Sequence, residues 1–375
     1  MAESKLKILY ISHLHPPKDQ PLESVGGMQN VSLQLVSALD KRDDVEIECL
    51  ILHSSWKYIG VKTFYFLFTL LWKLPAKSKE FKPDVILFSS MVTAGVLPFI
   101  KWRLKVPAVT INHGQDVTLP VWAYQKYVPA IFKSLDGVIS VSSATREASI
   151  RRGMAPEKGV ALPNGFDTEV QHDLPEKSRA IEQLEKEFDI TLKDKKIVLT
   201  VGRQVKRKGH EWFIRHVMER MESEIVFIIA GDGPERKNIE AAREESTEKE
   251  NIVIAGKIPE ELLNTCYAAA DLFVMPNIPV KGDMEGFGIV ILEANRAGVP
   301  VISADLEGMR DVVQQGVNGY RVPHSNSKVF AEKIDYVLMN GLQELSADAR
   351  EYALKNFSWD TVADRYVRFL RDVSE

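Results

Sequence analysis

The feature that most constrains this chain is a pattern that runs twice: short β-branched stretches separated by helix-length amphipathic ones. In the first half the strand-like stretches are Lys7 to Ser12, Val45 to Leu52, Asp84 to Ser89, Ala108 to Asn112 and Gly137 to Val141, with helical patterns such as Met28 to Leu39 and Trp122 to Ser134 between them. Near-continuous Val, Ile and Leu in strands that alternate with helices predict a parallel sheet covered on both faces. Turn chemistry from Ala161 to Asp167 and a charged, helix-prone stretch from Pro175 to Asp189 interrupt the pattern. It then restarts, with strands expected at Lys196–Val201, Ile225–Ala230, Asn251–Ala255, Leu272–Met275 and Pro300–Ser303. Helices are expected at His210–Met221, Pro234–Lys249, Pro259–Ala270 and Ile289–Ala297, and from Val329 to the end. The expected class is α/β with two doubly wound domains, over 1–170 and 171–358, and 375 residues suit two cores better than one.

Composition removes several classes. A net charge of −4 supplies no basic field for nucleic acid. The halves differ, with 20 basic and 16 acidic residues over 1–170 against 28 and 36 over the remainder. Two distant cysteines, Cys49 and Cys266, argue against a disulfide scaffold or a multi-cysteine metal site and suit a reducing, cytoplasmic setting. Leu6 to Ser12 is too short and mixed for a secretory segment. Thr63 to Trp72, between Lys62 and Lys73, falls well short of the roughly 20 apolar residues that span a bilayer.

Rossmann-like sheets take ligands beyond the carboxyl ends of their strands, so two facing ones predict a cleft lined by loops from both. Gly26 and Gly27, ahead of a helix, let backbone amides approach an anion, although an ordinary loop explains them equally. Gly202-Arg203-Gln204-Val205-Lys206-Arg207-Lys208-Gly209 puts four cations at a strand-to-helix junction, which suits a polyphosphate, and lacks Walker A spacing. Gly231-Asp232-Gly233-Pro234 reads as a tight turn beside a ligand or as a purely structural one. The most informative segment is Met284 to Ala294, where Gly286 and Gly288 open a helix between Glu285 and Glu293. Helical spacing separates these carboxylates by up to roughly 12 Å, about the length of a nucleotide sugar. One can then accept from sugar hydroxyls and the other from ribose, with a diphosphate over the helix N-terminus. His113, in Asn112-His113-Gly114, is either a sugar contact or a structural histidine.

The ordered set Gly26-Gly27, His113-Gly114, Pro163-Asn164-Gly165-Phe166-Asp167, Gly202-Arg203 with Lys208-Gly209, Gly231-Asp232-Gly233-Pro234 and Glu285-x7-Glu293 resembles the family-4 retaining glycosyltransferases of the GT-B fold. The likeness extends over nearly the whole chain, including Phe357-Ser358-Trp359 before a last helix, about 359–375, that in the family crosses back to the first domain. It implies that Arg203 and Lys208, beside Gly202, neutralise a donor diphosphate, that Glu285, Gly286, Phe287 and Gly288 hold the sugar, and that Glu293 holds the ribose. It also implies Gly256, Lys257 and Ile258 by the base, His113 at the sugar's far hydroxyl, and Gly26 and Gly27 over the phosphates. The Met275-Pro276 strand end and Glu285 to Val290, with Ile289 in the donor set, resemble phospholipid mannosyltransferases of the family, which points to GDP-mannose, while UDP-hexoses are equally compatible. His113, Arg203, Lys208 and Glu285 are the expected catalytic residues. No Asp-x-Asp pair is present to carry a divalent ion, so no metal and no cofactor are expected.

The expected partners are a UDP- or GDP-sugar donor and a glycan or lipid-linked acceptor. Residues 56–105 carry nine Lys and Arg against Glu80 and Asp84, among Trp56, Tyr58, Phe64, Tyr65, Phe66, Phe68, Leu70, Leu71 and Trp72. That composition suits peripheral contact with an anionic membrane at its cytoplasmic face; a buried helix with solvated lysines is the competing account. A sugar-nucleotide epimerase, a phosphorylase and a non-catalytic sugar-nucleotide-binding protein are the alternatives to a transferase.

Overall fold

The computed structural model describes residues 4–16, 27–54, 59–167, 174–192 and 194–375. The first sheet is built from β1 (Leu6–His15), β2 (Val45–His53), β3 (Val85–Phe88), β4 (Ala108–Asn112), β5 (Gly137–Ser140) and β6 (Gly159–Ala161), in the order β2-β1-β3-β4-β5-β6. The second holds β7 (Lys196–Val201), β8 (Ile225–Ala230), β9 (Ile252–Gly256), β10 (Leu272–Met275), β11 (Val301–Ala304) and β12 (Gly319–Val322), in the order β12-β11-β10-β7-β8-β9. Every pairing is parallel. Helices on both faces explain why successive residues of central strands are buried: Ile8, Leu9, Tyr10 and Ile11 are each fully enclosed. At about 1.5–3 kcal/mol per buried aliphatic or aromatic side chain, these strands anchor the two cores.

The chain divides into two compact units, Met1–Asp167 with Phe357–Glu375, and Thr168–Asn356. The return to the first unit is held by backbone and by one aromatic ring. Phe166 N donates to Phe357 O at 2.9 Å and Trp359 N to Phe166 O at 3.3 Å. The Trp359 indole donates to Gln34 Oε1 at 2.7 Å. A Cβ on Gly165 would lie 2.5 Å from the Trp359 ring, so the Asn164-Gly165-Phe166 turn admits no side chain there. Ser358 caps the helix Trp359–Ser374, which buries Val362, Ala363, Tyr366, Val367 and Leu370.

Several sequence expectations change. β6 and β12 were not anticipated, because three- and four-residue edge strands carry too little period to read. The helical stretch expected from Val329 to the end is three helices, Ser327–Asn340, Leu342–Phe357 and Trp359–Ser374; the last begins just after Phe357-Ser358, as the resemblance implies, and the break at Gly341 is the new feature. The helix expected from His210 to Met221 stops at His216 and continues as a 3-10 turn at Met218–Arg220. The apolar stretch around Thr63 to Trp72 lies in the helix Ile59–Phe81. Among the described residues no helix is long and apolar enough to cross a membrane.

Candidate functional site

In the second sheet the winding reverses beside β7, with β8 and β9 on one side and β10, β11 and β12 on the other. Loops leaving the carboxyl ends of adjacent parallel strands at such a point diverge and open a crevice. The loop after β7 and the loop after β10 are fastened to each other. Gly209 has φ +67°, and a Cβ there would lie 2.0 Å from the Pro276 carbonyl oxygen, so only glycine lets the basic turn rest on the β10 loop. Ile278 N donates to Arg207 O at 2.9 Å.

This fastening brings opposite charges together. Lys208 Nζ lies 2.7 Å from Glu285 Oε2, with side-chain exposures of 8% and 11%. Arg207 Nη1 lies 3.4 Å from the same oxygen, and Arg207 Nε lies 3.1 Å from Asp283 Oδ1. Asn277 Nδ2 donates to Glu285 Oε2 at 3.3 Å. Burial pushes the Glu285 carboxyl up, but the Lys208 and Arg207 charges, with the hydrogen bonds, outweigh it and hold the group below its ordinary value. It is an ionised carboxylate in a nearly dry place.

Glu293, on the helix Ile289–Arg296, is half-buried and accepts from the Tyr267 hydroxyl at 2.8 Å. Burial raises its carboxyl above the usual value, and the Tyr267 hydrogen bond offsets part of that. The helix begins at Ile289, so Glu285 to Gly288 is not helical and the spacing expected between the two carboxylates does not apply. Gly288, at φ +83°, gives the helix no side-chain cap. An uncapped helix start just after Glu285, which a buried Lys208 and a partly buried Arg207 contact, suits an anion.

The remaining candidates are distributed unevenly. Gly286, Phe287 and Gly288 are buried, and Ile289 is half-buried. Gly202 N donates to Ala230 O, and Gly256 O accepts from Gly231 N at 2.7 Å, so these glycines tie the β7, β8 and β9 loops together. Lys257 is exposed and Ile258 half-buried. Arg203 is exposed and forms no ion pair among the described residues, whereas Arg207 stands with Lys208 at Glu285. Gly27 starts the helix Gly27–Asp40, and Gly26 lies outside the described residues. In the first unit, His113 follows β4, with Nε2 2.9 Å from Ser89 O, which makes Nε2 the donor. Its amide donates to Asp116 Oδ1 at 2.8 Å.

Sequence reasoning missed Arg207 as a site residue, and with it Asn277, Asp283, Glu307 and Tyr267. Arg207 lay within the basic turn, but nothing in its spacing distinguished it from Arg203. A cavity of about 200 Å³ is lined by Lys206, Gly209, His210, Trp212 and Ile278 among others, and not by Lys208, Glu285 or Glu293. Among the described residues no group of three or more His, Cys, Asp or Glu is placed to hold a metal ion.

Comparison with known proteins gives concordant matches for the two units. The family described as Glycosyl transferases group 1 matches residues 182–356, and Glycosyltransferase Family 4 matches residues 25–170. An uncharacterized glycosyltransferase of Methanocaldococcus jannaschii is 32% identical over 187 residues, 48% of this chain and 46% of that protein. The chain thus spans under half of that relative's length. A GDP-mannose-dependent alpha-(1-6)-phosphatidylinositol monomannoside mannosyltransferase of Mycobacterium tuberculosis is 28% identical over 271 residues, covering 69% of this chain and 68% of that protein. Among solved structures, Anabaena HepE in complex with UDP superposes with a TM-score of 0.73 at 19% identity, over 98% of this chain and all of that one. Sucrose-phosphate synthase from Thermosynechococcus elongatus gives 0.76 at 22% identity, over 98% of this chain and 99% of that one.

Proposed function

Because this chain belongs to the group 1, family-4 glycosyltransferases and has the GT-B fold, we propose that it moves a hexose from a nucleoside diphosphate sugar to a hydroxyl of a glycan or lipid-linked acceptor, without a metal ion and with retention at the anomeric carbon. The observation that carries this reading is the buried contact of Lys208 with Glu285, backed by Arg207 and set beside an uncapped helix start. Rupture of the bond between the sugar and the diphosphate builds negative charge on the leaving oxygen. Fixed ammonium and guanidinium groups in a water-poor site stabilise that charge most in the transition state. Arg203, exposed and unpaired among the described residues, keeps its charge for the same diphosphate.

In the proposed step the acceptor hydroxyl attacks the anomeric carbon from the side the phosphate leaves. The carbon–oxygen bond to phosphate breaks, the leaving phosphate oxygen takes the hydroxyl proton, and the nucleoside diphosphate departs. Glu285 accepts from sugar hydroxyls, Gly286, Phe287 and Gly288 hold the sugar against it, and Glu293 accepts from the ribose. His113 remains a sugar contact by resemblance, and Gly256, Lys257 and Ile258 remain the base contacts. The mycobacterial relative, named for GDP-mannose and a phosphatidylinositol mannoside, supports GDP-mannose and a lipid acceptor; the UDP bound in the Anabaena structure supports UDP-hexoses.

The test is release of nucleoside diphosphate from GDP-mannose and from UDP-glucose, with acceptor and excess chelator. Acceptor-dependent release supports the reading. Turnover that stops with chelator and returns only with magnesium sinks the metal-independent form. Donor conversion without acceptor identifies an epimerase, and a requirement for free phosphate a phosphorylase. Glu293→Ala is expected to weaken binding of the free nucleoside diphosphate about tenfold, or 1.4 kcal/mol, through loss of one charged hydrogen bond. Calorimetry showing wild-type affinity removes Glu293 from ribose recognition.

The helix Ile59–Phe81 supports a peripheral membrane contact in the same reading. It buries Thr63, Leu70, Leu74, Ser78 and Phe81, and Phe66 and Leu71 pack on the core, so these three apolar residues of the expected interface, Phe66, Leu70 and Leu71, are core instead. Phe64, Tyr65, Phe68 and Trp72 are each more than half exposed on the other face, with Lys62 and Lys73 beside them. Trp56 and Tyr58 lie outside the described residues. An aromatic face flanked by lysines matches an anionic bilayer surface. Phe68→Ser with Trp72→Ser is expected to reduce flotation with vesicles containing anionic lipid at least fivefold. Equal flotation with neutral and anionic vesicles, or none with either, removes the contact.

A further inference from the structure

Among the described residues, five non-glycine residues have positive φ, and four of them, Lys82, Asp189, Asp194 and Ser325, are exposed. The fifth is Glu307, half-buried at φ +50°. The left-handed region favours glycine, so a side chain is retained there against a local cost. The Glu307 side chain makes a contact that glycine lacks: Oε2 accepts from Glu285 N at 2.5 Å. The next residue closes the same unit from the other side, since Gly308 N donates to Glu285 O at 3.2 Å. A Cβ on Gly308 would lie 2.3 Å from Gly286 O, so the two loops run backbone against backbone. Both polar groups of the Glu285 peptide are therefore taken by consecutive residues of the loop after β11.

We propose that Glu307 is a positioning residue that acts through Glu285, fixing its backbone so that its carboxylate stays against Lys208 and Arg207 and faces the donor sugar. The clamp itself is observed backbone geometry; its consequence for the sugar rests on the proposed transferase function. Burial raises the Glu307 carboxyl above its ordinary value, with Glu285 and Asp283 adding to the rise and the Glu285 amide and Arg207 opposing it. The role asked of Glu307 is that of a hydrogen-bond acceptor, which an amide oxygen can also fill. A substitution that keeps the acceptor and removes the charge therefore separates the two contributions.

The experiment compares wild type, Glu307→Gly and Glu307→Gln by three readouts. Glycine relieves the left-handed backbone but leaves the buried Glu285 amide without its acceptor, so the two effects oppose each other and Glu307→Gly is expected to melt close to wild type. Its peptide covering 284–291 is expected to exchange amide hydrogens at least tenfold faster, whereas Glu307→Gln stays within about twofold of wild type. In steady-state assays, kcat/KM for the nucleotide sugar is expected to fall at least fivefold in Glu307→Gly, to recover in Glu307→Gln, and to leave affinity for the free nucleoside diphosphate unchanged. Wild-type exchange in Glu307→Gly overturns the proposal, as does a Glu307→Gln variant as impaired as the glycine one. Wild-type kinetics in Glu307→Gly overturn it equally. A wild-type protein that turns over no nucleotide sugar sinks the transferase reading, and the exchange measurement still decides the clamp.

Discussion

Lys208→Ala is expected to lower turnover at least tenfold and, separately, to destabilise the unit that carries it. The kinetic loss follows from removing a cation that interacts with charge appearing only as the leaving group departs, and tenfold corresponds to about 1.4 kcal/mol. The stability loss has another origin. Lys208 and Glu285 are both nearly buried at 2.7 Å, so alanine leaves a carboxylate without its nearest counter-ion. Removing one partner of a buried pair costs about 3–5 kcal/mol; Arg207, still at 3.4 Å from Glu285, places the expected value at the low end, about 3 kcal/mol. The sign of the pH dependence separates the two effects. The Glu285 carboxyl is held below its ordinary value in the folded protein, so its contribution to stability is full above the ordinary carboxylate range and is lost as pH falls through the lowered value. In Lys208→Ala that acid-side dependence shrinks, because the cation whose charge lowers the Glu285 carboxyl most strongly is gone. Denaturant melts at neutral and acid pH test this; a variant with wild-type turnover and an unchanged acid limb contradicts both roles given to Lys208.

Gly209→Ala is expected to act at one remove and with comparable force. The substituted residue has to adopt φ +67°, which costs an L side chain about 1–2 kcal/mol, and its methyl meets a backbone carbonyl oxygen at 2.0 Å, which cannot rotate away. A total of about 3 kcal/mol corresponds to a fall in melting temperature of roughly 6–12 °C for a unit of this size. The relaxation available is for the turn bearing Arg207 and Lys208 to lift off the β10 loop, which moves both cations from Glu285. Turnover should therefore fall more than tenfold in molecules that remain folded. Calorimetric melting and donor turnover at a temperature well below the transition check the two parts, and a variant that melts and turns over like wild type rules out the fastening.

Much of the architecture was legible because buried parallel strands leave a strong sequence record. Ile8 to Ile11, Ile225 to Ala230 and Leu272 to Met275 are continuous apolar runs because both of their faces are covered, which makes each legible as a strand. Short edge strands leave no such record, which is why β6 and β12 escaped. Helical character from Val329 onward is legible, and the resemblance implies a last helix from about 359, but the break at Gly341 is not legible, since it acts through local backbone geometry rather than through period.

The site divides in the same way. By itself the sequence determined that a basic strand-to-helix turn and a glycine-flanked Glu-x7-Glu segment exist, because those residue types at those spacings are local properties. Which cation meets which carboxylate was decided only by the fold. The reversal of strand order beside β7 sets the loops after β7 and β10 side by side, and the contact of Gly209 with Pro276 fixes their register. That register puts Arg207 rather than Arg203 beside Glu285, while the packing of neighbouring elements sets Tyr267 on Glu293 and brings Glu307 to the Glu285 amide. Each is a contact between segments distant along the chain. Spacing in sequence does not encode such contacts, whereas strand order and backbone packing do.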